Sequence, residues 1–491
     1  MIFHRGRTIS LRRTILLTAD VLTISLSIVL SAVLRLGVDA GLSYCVEHIP
    51  SLGGSLLIFL VVFYASGMYE RQALTRKEAS ALLPLFATVI SLIFIVVVFY
   101  ARFQLNIGRG ILVLAGLFVF LSSWSLRYAY RQVVRSGFLS KNTLIVGEGK
   151  EADEVVRLLA RTPDSGLKVL GVVSSRRVQP GTFVGNAPVV GSVDKLRELA
   201  DAFEAETLVV ATSVSREPSI LRLLRPLRCA GTEVMDYVTL NETLAQEIPI
   251  DHINDEWLMN AAMNSSVIHI RKIKRMMDVT VAMVGLILTL PISLLAALLV
   301  KLDSPGPVLY RQRRSGLDGR PYTVFKFRTM RQDAEAQSGA VWAGRSDARV
   351  TRVGGYFRSW RVDEIPQLIN VLRGDMSLVG PRPERPEFVD TLTAAIPFYR
   401  ERLLVPPGIT GWAQVKYPYA ASIEAARRKL QYDLYYIKHM SFFLDCLILL
   451  RTFKTILVGL RHSEEEPGDQ SSGGVLTVLA PETPKSGAKT A

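Results

Sequence analysis

The sequence predicts an integral membrane protein in three parts: an N-terminal four-helix transmembrane region, an α/β middle domain, and a C-terminal, mainly α domain with a re-entrant membrane helix hairpin. Three observations predict this class. The 491 residues exceed one ordinary domain. Hydrophobic residues make up 49% of them, with a mean hydropathy of +0.27, which is high for a soluble protein. Long uncharged stretches occur in two separate parts of the chain, with a soluble composition between them.

The first part, residues 1–135, contains four apolar stretches, each about long enough to cross a bilayer as a helix. They lie at 15–34, 52–68, 82–100 and 111–126. Four arginines precede the first stretch, whereas the loop at 37–52 holds two acids and no Lys or Arg. The positive-inside rule therefore predicts a cytoplasmic N-terminus, and four crossings return the rest of the chain to the cytoplasm.

The second part, residues 140–250, predicts a Rossmann-like α/β domain. The run T-L-I-V-G-E-G-K-E-A is typical of a buried strand, a turn at Gly147 and Gly149, and a helix. Further strands are predicted at 167–173 and 207–211. The second strand is followed by no acid that could bind a ribose hydroxyl, which favours a structural turn over a dinucleotide site. Ligand binding, regulation and homodimer formation stay open for this domain.

The third part begins with the uncharged run 279–300, which is flanked on both sides by clusters of Lys and Arg. A simple crossing would place one cluster outside, against the positive-inside rule. Pro291 lies near the middle of the run, where it removes a helix hydrogen bond and favours a bend. We therefore predict a re-entrant helix at about 276–301. The alternative is a fifth simple span with a tolerated proline.

The charge distribution indicates anionic partners at a membrane. The net charge is +14, and residues 301–361 hold 13 Lys and Arg against 5 Asp and Glu. A basic surface beside an apolar segment favours the phosphates of lipids and nucleotides, and no motif supports nucleic acid. The three cysteines lie far apart, without the spacing of a zinc site or a disulfide framework.

Four dense motifs follow the hydrophobic run. They are D-S-P-G-P-V-L-Y-R-Q-R-R-S-G from Asp303, Y-T-V-F-K-F-R-T-M from Tyr322, R-S-W-R-V-D-E-I-P-Q-L from Arg358, and R-G-D-M-S-L-V-G-P-R-P from Arg373. The second alternates like a short strand, which would place Lys326 and Arg328 on one face.

Asp363 and Glu364 stand directly before Ile365 and Pro366. Alone, this pattern is more typical of a helix start than of a catalytic site. Its surroundings favour chemistry, because arginines precede and follow it and the turn G-P-R-P can hold a phosphate contact rigidly. A carboxylate kept ionised by guanidinium groups and a helix N-terminus can attack phosphorus, and its neighbour can hold Mg²⁺.

With these motifs, residues 275 to about 460 resemble the polyprenyl-phosphate hexose-1-phosphate transferases, the monotopic phosphoglycosyl transferases. The whole chain looks like the long members, which have four N-terminal spans and a Rossmann-like insert. The resemblance implies transfer of hexose-1-phosphate from a UDP-hexose, with glucose or galactose expected, to undecaprenyl phosphate. UMP would be released, and the step would initiate exopolysaccharide, capsule or O-antigen synthesis. It also implies a multi-pass protein of the bacterial inner membrane whose catalytic domain, 270–461, faces the cytoplasm.

The resemblance assigns roles to single residues. Asp363 would be the nucleophile that forms a covalent phosphosugar intermediate, and Glu364 would hold Mg²⁺ together with it. Pro291 would break the membrane helix, although the family often has Ser before this proline and this chain has Leu290. The substrate-binding residues expected from the motifs are Arg358, Arg382, Lys326, Arg328 and Arg313.

Two other functions are kept as alternatives. A membrane-bound nucleotide-sugar dehydratase or epimerase would need a helical Tyr-x-x-x-Lys pair, and the spacing found, Tyr322 to Lys326, lies in a strand-like run. The second alternative is a non-catalytic scaffold of a polysaccharide assembly complex.

The apolar but charge-interrupted stretch 441–460 predicts an interfacial helix. The polar stretch 462–491 predicts a disordered tail.

Overall fold

The computed structural model describes residues 7–69, 77–101, 107–135, 140–174, 182–211, 218–262, 267–331, 349–417 and 422–458. The chain divides into two compact units, Met1–Ala245 and Gln246–Ala491. The predicted tail, 462–491, lies outside the described residues.

The described residues at the start of the first unit form five helices. They are α1 (Arg7–Leu36), α2 (Val38–Glu47), α3 (Ile49–Ala65), α4 (Lys77–Ala101) and α5 (Arg109–Arg135). Helices α1, α4 and α5 are long and apolar enough to cross a membrane, as predicted. The second predicted stretch forms the shorter α3, which follows α2 at a bend of 81°. The connection predicted at 37–52 contains the helix α2 over most of its length.

A buried ion pair joins α1 to α5. Asp20 is fully buried and Arg127 is 1% exposed, and two guanidinium nitrogens of Arg127 lie 2.8 Å and 3.1 Å from the two carboxylate oxygens of Asp20. Ser123 accepts a further hydrogen bond from Arg127 at 2.7 Å, and the rings of Phe63 and Tyr69 lie near the guanidinium group. Charges this deep in an apolar bundle persist only when paired.

The rest of the first unit is an α/β domain with a six-stranded sheet of order β3-β4-β2-β1-β5-β6. All neighbours are parallel except β3 and β4. The strands are β1 (Lys141–Val146), β2 (Leu167–Ser174), β3 (Phe183–Val184), β4 (Ala187–Ser192), β5 (Thr207–Val210) and β6 (Glu233–Asp236). The helices are α6 (Gly149–Arg161), α7 (Leu196–Ala202), α8 (Pro218–Cys229) and α9 (Tyr237–Leu244). The predicted parallel sheet is confirmed.

Apolar clusters cover both faces of this sheet. Leu144 and Val146 of β1 pack with α7 and α8, whereas Ile145 between them packs with α6 and α9. Alternate residues of a strand point to opposite faces, so a strand buried on both sides must be apolar at every position. Gly147 follows β1 with a φ of +154°, and a Cβ at this position would lie 2.5 Å from the Cβ of Ala211, which explains the glycine.

The second unit carries the motif-rich segment. Its helices are α10 (Asp255–Ala262), α11 (Val267–Asp303), α12 (Arg352–Ser359), α13 (Gln367–Arg373), α14 (Pro386–Ala395), α15 (Trp412–Lys416), α16 (Ile423–Lys438) and α17 (Phe442–Val458). Its strands form two pairs, β7 (Leu309–Ser315) with β8 (Pro321–Phe327), antiparallel, and β9 (Ser377–Val379) with β10 (Gly408–Thr410), parallel. The domain is mainly α, as predicted.

Helix α11 is the long apolar helix of this unit. It stays helical through Pro291, and its apolar part, Arg271–Asp303, is long enough to cross a membrane. A return of the chain to the same membrane face stays a prediction. Its first turns are fixed by Lys274, which lies 2.7 Å from Asp445 of α17, and by Asp278, which accepts hydrogen bonds from Ser377 and Leu378. Its last turns pack on Phe327 and Phe357.

Counting both units, the described residues contain four helices able to cross a membrane by length and composition, or five if the bent pair α2–α3 forms one span.

Candidate active site

Asp363 and Glu364 lie in a single helical turn, Val362–Glu364, between α12 and α13. Helix α12 begins where the Thr351 hydroxyl accepts a hydrogen bond from the Gly354 amide. It is followed by Arg361, whose φ of +56° is unusual for a residue with a side chain. This left-handed residue reverses the chain, and the two acids that follow line a cavity of about 1270 Å³.

Glu364 is surrounded by cations. Its Oε1 lies 3.0 Å from Arg382 Nη2, 3.1 Å from Lys326 Nζ and 3.5 Å from Arg361 Nη1, while the side chain is only 8% exposed. Burial by itself would raise the pKa of Glu364, but the three cations outweigh it and hold the pKa well below its usual range. The lowered pKa favours the ionised form of Glu364, whose carboxylate gathers three cations at one point.

Asp363 has a different environment. It is 7% exposed, and its Oδ1 is buried with no hydrogen-bond partner among the described residues. Burial, and then the charge of Glu364, raise the pKa of Asp363, whereas Lys326, Arg361 and Arg358 act in the opposite direction. Burial therefore outweighs the guanidinium groups that the sequence places around this carboxyl, so its pKa lies above the ordinary value and not below it. No other described group therefore occupies Oδ1 of Asp363.

Arg382 reaches Glu364 from the turn Gly380–Pro383 that follows β9. The turn needs glycine, since a Cβ at Gly380 would lie 2.5 Å from the Pro406 carbonyl oxygen. The Gly380 amide donates to the Thr410 carbonyl and the Gly408 amide donates to the Pro381 carbonyl, so the turn is fastened to β10. Its backbone is therefore held rigidly beside the two acids.

Lys326 and Arg328, which the sequence predicts on one face of a strand, both line the cavity, as does Phe327 between them. Arg328 lies just beyond β8 and is 5% exposed. Its Nη2 donates to the Ser304 carbonyl at 2.7 Å, and its Nε and Nη1 have no partner among the described residues. Arg358 also lines the cavity, and its Nε donates to the Thr329 hydroxyl at 3.0 Å.

Arg313 is the one predicted substrate-binding residue that does not lie with the other four around the cavity. It is exposed on β7 and does not line the cavity, whereas its neighbours Gln312 and Arg314 do. Arg314 donates to the Pro383 carbonyl at 3.1 Å. The spacing Tyr322 to Lys326 lies in β8, so these residues do not form the helical pair that a dehydratase or epimerase needs.

The residue types present fit a hard divalent cation in part. Mg²⁺ is usually held by one or two carboxylates, with substrate phosphates and water completing the shell. Asp363 and Glu364 supply two adjacent carboxylates, and the unpartnered Oδ1 of Asp363 is a free ligand atom. No cluster of three or more His, Cys, Asp or Glu suited to a metal occurs among the residues described. Any bound Mg²⁺ would thus depend on substrate oxygens.

Several cavity residues are not signalled by the sequence motifs. They include Arg402, Tyr399, Lys429 and Asp433. Asp433 is 1% exposed and lies within the run Y-D-L-Y-Y of α16. An acid flanked by aromatic residues on a buried helix face is a usable signal, because such a charge needs a buried partner.

Comparisons with known proteins give one family match within each of the two units. Residues 269–459 match the family described as "Bacterial sugar transferase", and residues 64–234 match one described as "CoA-binding domain". A UDP-N-acetylgalactosamine-undecaprenyl-phosphate N-acetylgalactosaminephosphotransferase of Aeromonas hydrophila is 46% identical over 234 residues. That match covers 47% of this chain and 54% of the relative, so the chain spans about half the length of that protein.

Two further relatives are named UDP-glucose:undecaprenyl-phosphate glucose-1-phosphate transferase. The protein of Caulobacter vibrioides is 46% identical over 186 residues, which is 38% of this chain and 69% of the relative. The protein of Escherichia coli is 31% identical over 329 residues, which is 65% of this chain and 68% of the relative. The latter match is long enough to extend beyond the motif-rich domain.

Proposed function

The chain belongs to the bacterial sugar transferase family, and from this premise we propose that it transfers hexose-1-phosphate from a UDP-hexose to undecaprenyl phosphate and releases UMP. The names of the relatives support both substrates. The product, a lipid diphosphate sugar, would be the starting unit of exopolysaccharide, capsule or O-antigen synthesis.

One observation carries the proposal: the unpartnered Oδ1 of Asp363 lies beside an anion, Glu364, that already gathers three cations. A transfer of this kind needs a nucleophile and a concentration of positive charge for the phosphates. Both are supplied at adjacent positions of the chain.

In the first half-reaction, an oxygen of the Asp363 carboxylate attacks the sugar-bearing phosphorus of the donor. A bond forms between that oxygen and phosphorus, and the bond from phosphorus to the bridging oxygen of the diphosphate breaks. The electron pair leaves with UMP. In the second half-reaction, an oxygen of the lipid phosphate attacks the same phosphorus, and the bond to Asp363 breaks, which restores the carboxylate.

The cations of the cavity would neutralise the charge that develops in these steps. Arg382, Lys326 and Arg361 are anchored by Glu364 within 3.5 Å, and they would share their remaining N–H donors with the donor diphosphate. Mg²⁺ held by Asp363 and Glu364 would supply additional charge neutralisation at the leaving phosphate.

A re-entrant α11 would hold the cavity close to the membrane surface, where the phosphate of the lipid acceptor lies. Asp278 near its start and Asp303 at its end accept hydrogen bonds from backbone amides elsewhere in the second unit, those of Leu378 and Val353. A straight helix rises about 37 Å over the 25 steps from Asp278 to Asp303, more than the hydrocarbon core of about 30 Å. One soluble domain that holds both ends therefore supports a bend near Pro291. We place this domain on the cytoplasmic face of the inner membrane.

The decisive experiment is exchange of labelled UMP into UDP-sugar without lipid acceptor, using full-length protein in nanodiscs. The proposal expects exchange by the wild type and none by Asp363→Asn, while Asp390→Asn, at an exposed site, serves as the control. Mass spectrometry should find one hexose phosphate on the peptide that contains Asp363. Wild-type turnover with lipid but no exchange would contradict the covalent step.

The donor is then identified by UMP release with UDP-glucose, UDP-galactose and UDP-N-acetylgalactosamine. The relatives are named for glucose and N-acetylgalactosamine, so both sugar types belong in the panel. Protein that binds UDP-sugars and never releases UMP would favour the scaffold function instead.

A further inference from the structure

Arg402 is a buried arginine that lines the cavity next to the backbone of Arg382. It lies in the short helix Tyr399–Leu403 and is 6% exposed. Its Nη2 lies 2.9 Å from Asp433 Oδ2, and its Nε donates to the same oxygen at 3.2 Å. Its Nη1 donates to the Tyr399 hydroxyl at 2.6 Å.

The Nη2 of Arg402 also donates to the backbone carbonyl of Arg382 at 3.0 Å. The side chain of that same residue donates to Glu364 Oε1 at 3.0 Å. A chain of contacts therefore runs from Asp433, through Arg402 and the backbone of Arg382, to the carboxylate beside the nucleophile.

The charge of Arg402 is balanced inside the protein. Asp433 is 1% exposed, and burial raises its pKa to about 6, against the opposing effect of Arg402. A buried guanidinium group with one partner carboxylate is costly to desolvate, so the pair is weak evidence for stability alone. A fixed guanidinium fork does, however, hold its acceptors in a defined geometry.

Three consecutive carbonyls of the turn are held by three different groups. The Gly408 amide donates to the Pro381 carbonyl, and the Arg314 side chain donates to the Pro383 carbonyl. Between them, Arg402 holds the carbonyl of Arg382. Arg402 therefore fixes the middle residue of the turn, the one whose side chain enters the site.

We propose that Arg402, oriented by Asp433 and Tyr399, is a positioning residue that sets where the Arg382 guanidinium group stands against Glu364 and the donor diphosphate. This inference rests on the proposed function for its turnover readout. Arg402 acts through Arg382, so its loss weakens the contact with the diphosphate and slows the transfer.

The test compares Arg402→Lys and Asp433→Asn with a matched surface pair. Arg400 lies two residues away in the same short helix and pairs with Asp390, and their side chains are 67% and 73% exposed. Arg400→Lys and Asp390→Asn are the controls. We expect kcat/KM for UMP release to fall about ten- to a hundredfold in Arg402→Lys and Asp433→Asn, and to stay at the wild-type value in the controls.

A double-mutant cycle separates positioning from a purely structural role. If Arg402 acts through Arg382, the effects of Arg402→Lys and Arg382→Lys are strongly non-additive, because either change already loosens the same contact. Effects that multiply, or an Arg402→Lys enzyme as active as Arg400→Lys, would overturn the proposal. Equal thermal melting of Arg402→Lys and wild type shows that folding is not the cause.

Equilibrium binding of UDP with Mg²⁺ provides a readout without turnover. Arg402→Lys should bind UDP about tenfold more weakly than Arg400→Lys. If the wild type released no UMP from any donor while this difference persisted, the proposed function would fail and the positioning role would stand. Equal affinities would remove the positioning role.

Discussion

The ammonium nitrogen of Lys326 lies 3.1 Å from Oε1 of Glu364, and both side chains are largely buried. Burial lowers the pKa of Lys326, while Glu364 acts in the opposite direction. The pair joins β8 to the turn Val362–Glu364, and the positive charge of Lys326 also favours the ionised form of Asp363.

Replacing Lys326 by Met should therefore impair the chemical step more than the fold. Loss of one buried cation at a transferring phosphate costs on the order of a hundredfold in kcat. UMP release under saturating donor measures this, with Arg320→Met, an exposed cation one residue before β8, as the control. A Lys326→Met enzyme with normal kcat would exclude Lys326 from the reaction.

The pH profile should follow Asp363. Because burial raises its pKa, this carboxyl keeps its proton at a higher pH than an exposed Asp, and only the ionised form attacks. Activity is thus lost as the pH falls through the raised pKa. Arg361 lowers that pKa, so Arg361→Gln should move the acidic limb of kcat/KM to higher pH.

The matched variant for this profile is Arg352→Gln, which removes an exposed charge of α12 outside the cavity. The acidic limb of kcat/KM for Arg352→Gln should coincide with that of the wild type. A limb that moves to lower pH in Arg361→Gln would contradict the electrostatic assignment.

The course of α11 is testable by labelling. Met276 and Leu302, at its two ends, are 72% and 74% exposed, and Leu42 of α2 is 48% exposed. In a cysteine-free background, Met276→Cys and Leu302→Cys should both react with an impermeant maleimide only from the cytoplasmic side. Leu42→Cys should react only from outside. Labelling of Met276→Cys and Leu302→Cys from opposite sides would establish a simple span.

The Lys274–Asp445 pair should matter for stability. Both side chains are nearly fully buried, at 8% and 1% exposure, and the Asp445 carboxylate also accepts from the Tyr436 hydroxyl. Lys274→Met leaves this carboxylate without its cation, which should destabilise the second unit by about 3–5 kcal/mol. Tryptophan-fluorescence melting reports the loss, because Trp412 is fully buried in this unit.

For comparison, Arg400→Met breaks only an exposed pair and should change stability by less than about 1 kcal/mol. If Lys274→Met and Arg400→Met had the same melting temperature, the buried pair would not contribute to the stability of the second unit.

Metal removal tests the role of Glu364. Chelation by EDTA should abolish UMP release and added Mg²⁺ should restore it, with Glu364→Gln requiring a higher Mg²⁺ concentration. Glu424→Gln, at an exposed site of α16, is the control. Full activity in EDTA would eliminate the metal from the reaction.

The sequence predicted the local features of this molecule well. The strand β8, the sheet neighbours β1, β2 and β5, and the adjacent acids Asp363 and Glu364 follow from alternation, apolar runs and short motifs, all of which are properties of adjacent residues. Helix α2 escaped prediction because its ten residues are neither long nor strongly apolar, and the bend that follows it depends on packing.

The long-range part of the site could not be predicted from the sequence. Arg402 and Asp433 are 31 residues apart, and nothing in either neighbourhood specifies the other. The direction of the pKa shift of Asp363 was also missed, since counting nearby arginines ignores burial, which is a property of the folded chain. Likewise Arg313 and Arg314 are indistinguishable in the motif, and only the fold decides which one lines the cavity.

The Asp20–Arg127 pair has a consequence for biogenesis. During synthesis the first hydrophobic helix emerges with a bare carboxylate, and its partner follows only after a further 107 residues have been made. A lone charge is poorly tolerated by lipid, so we expect stable insertion of α1 to require α5, the helix that carries its cationic partner. Both helices are made before the second unit of the chain is translated.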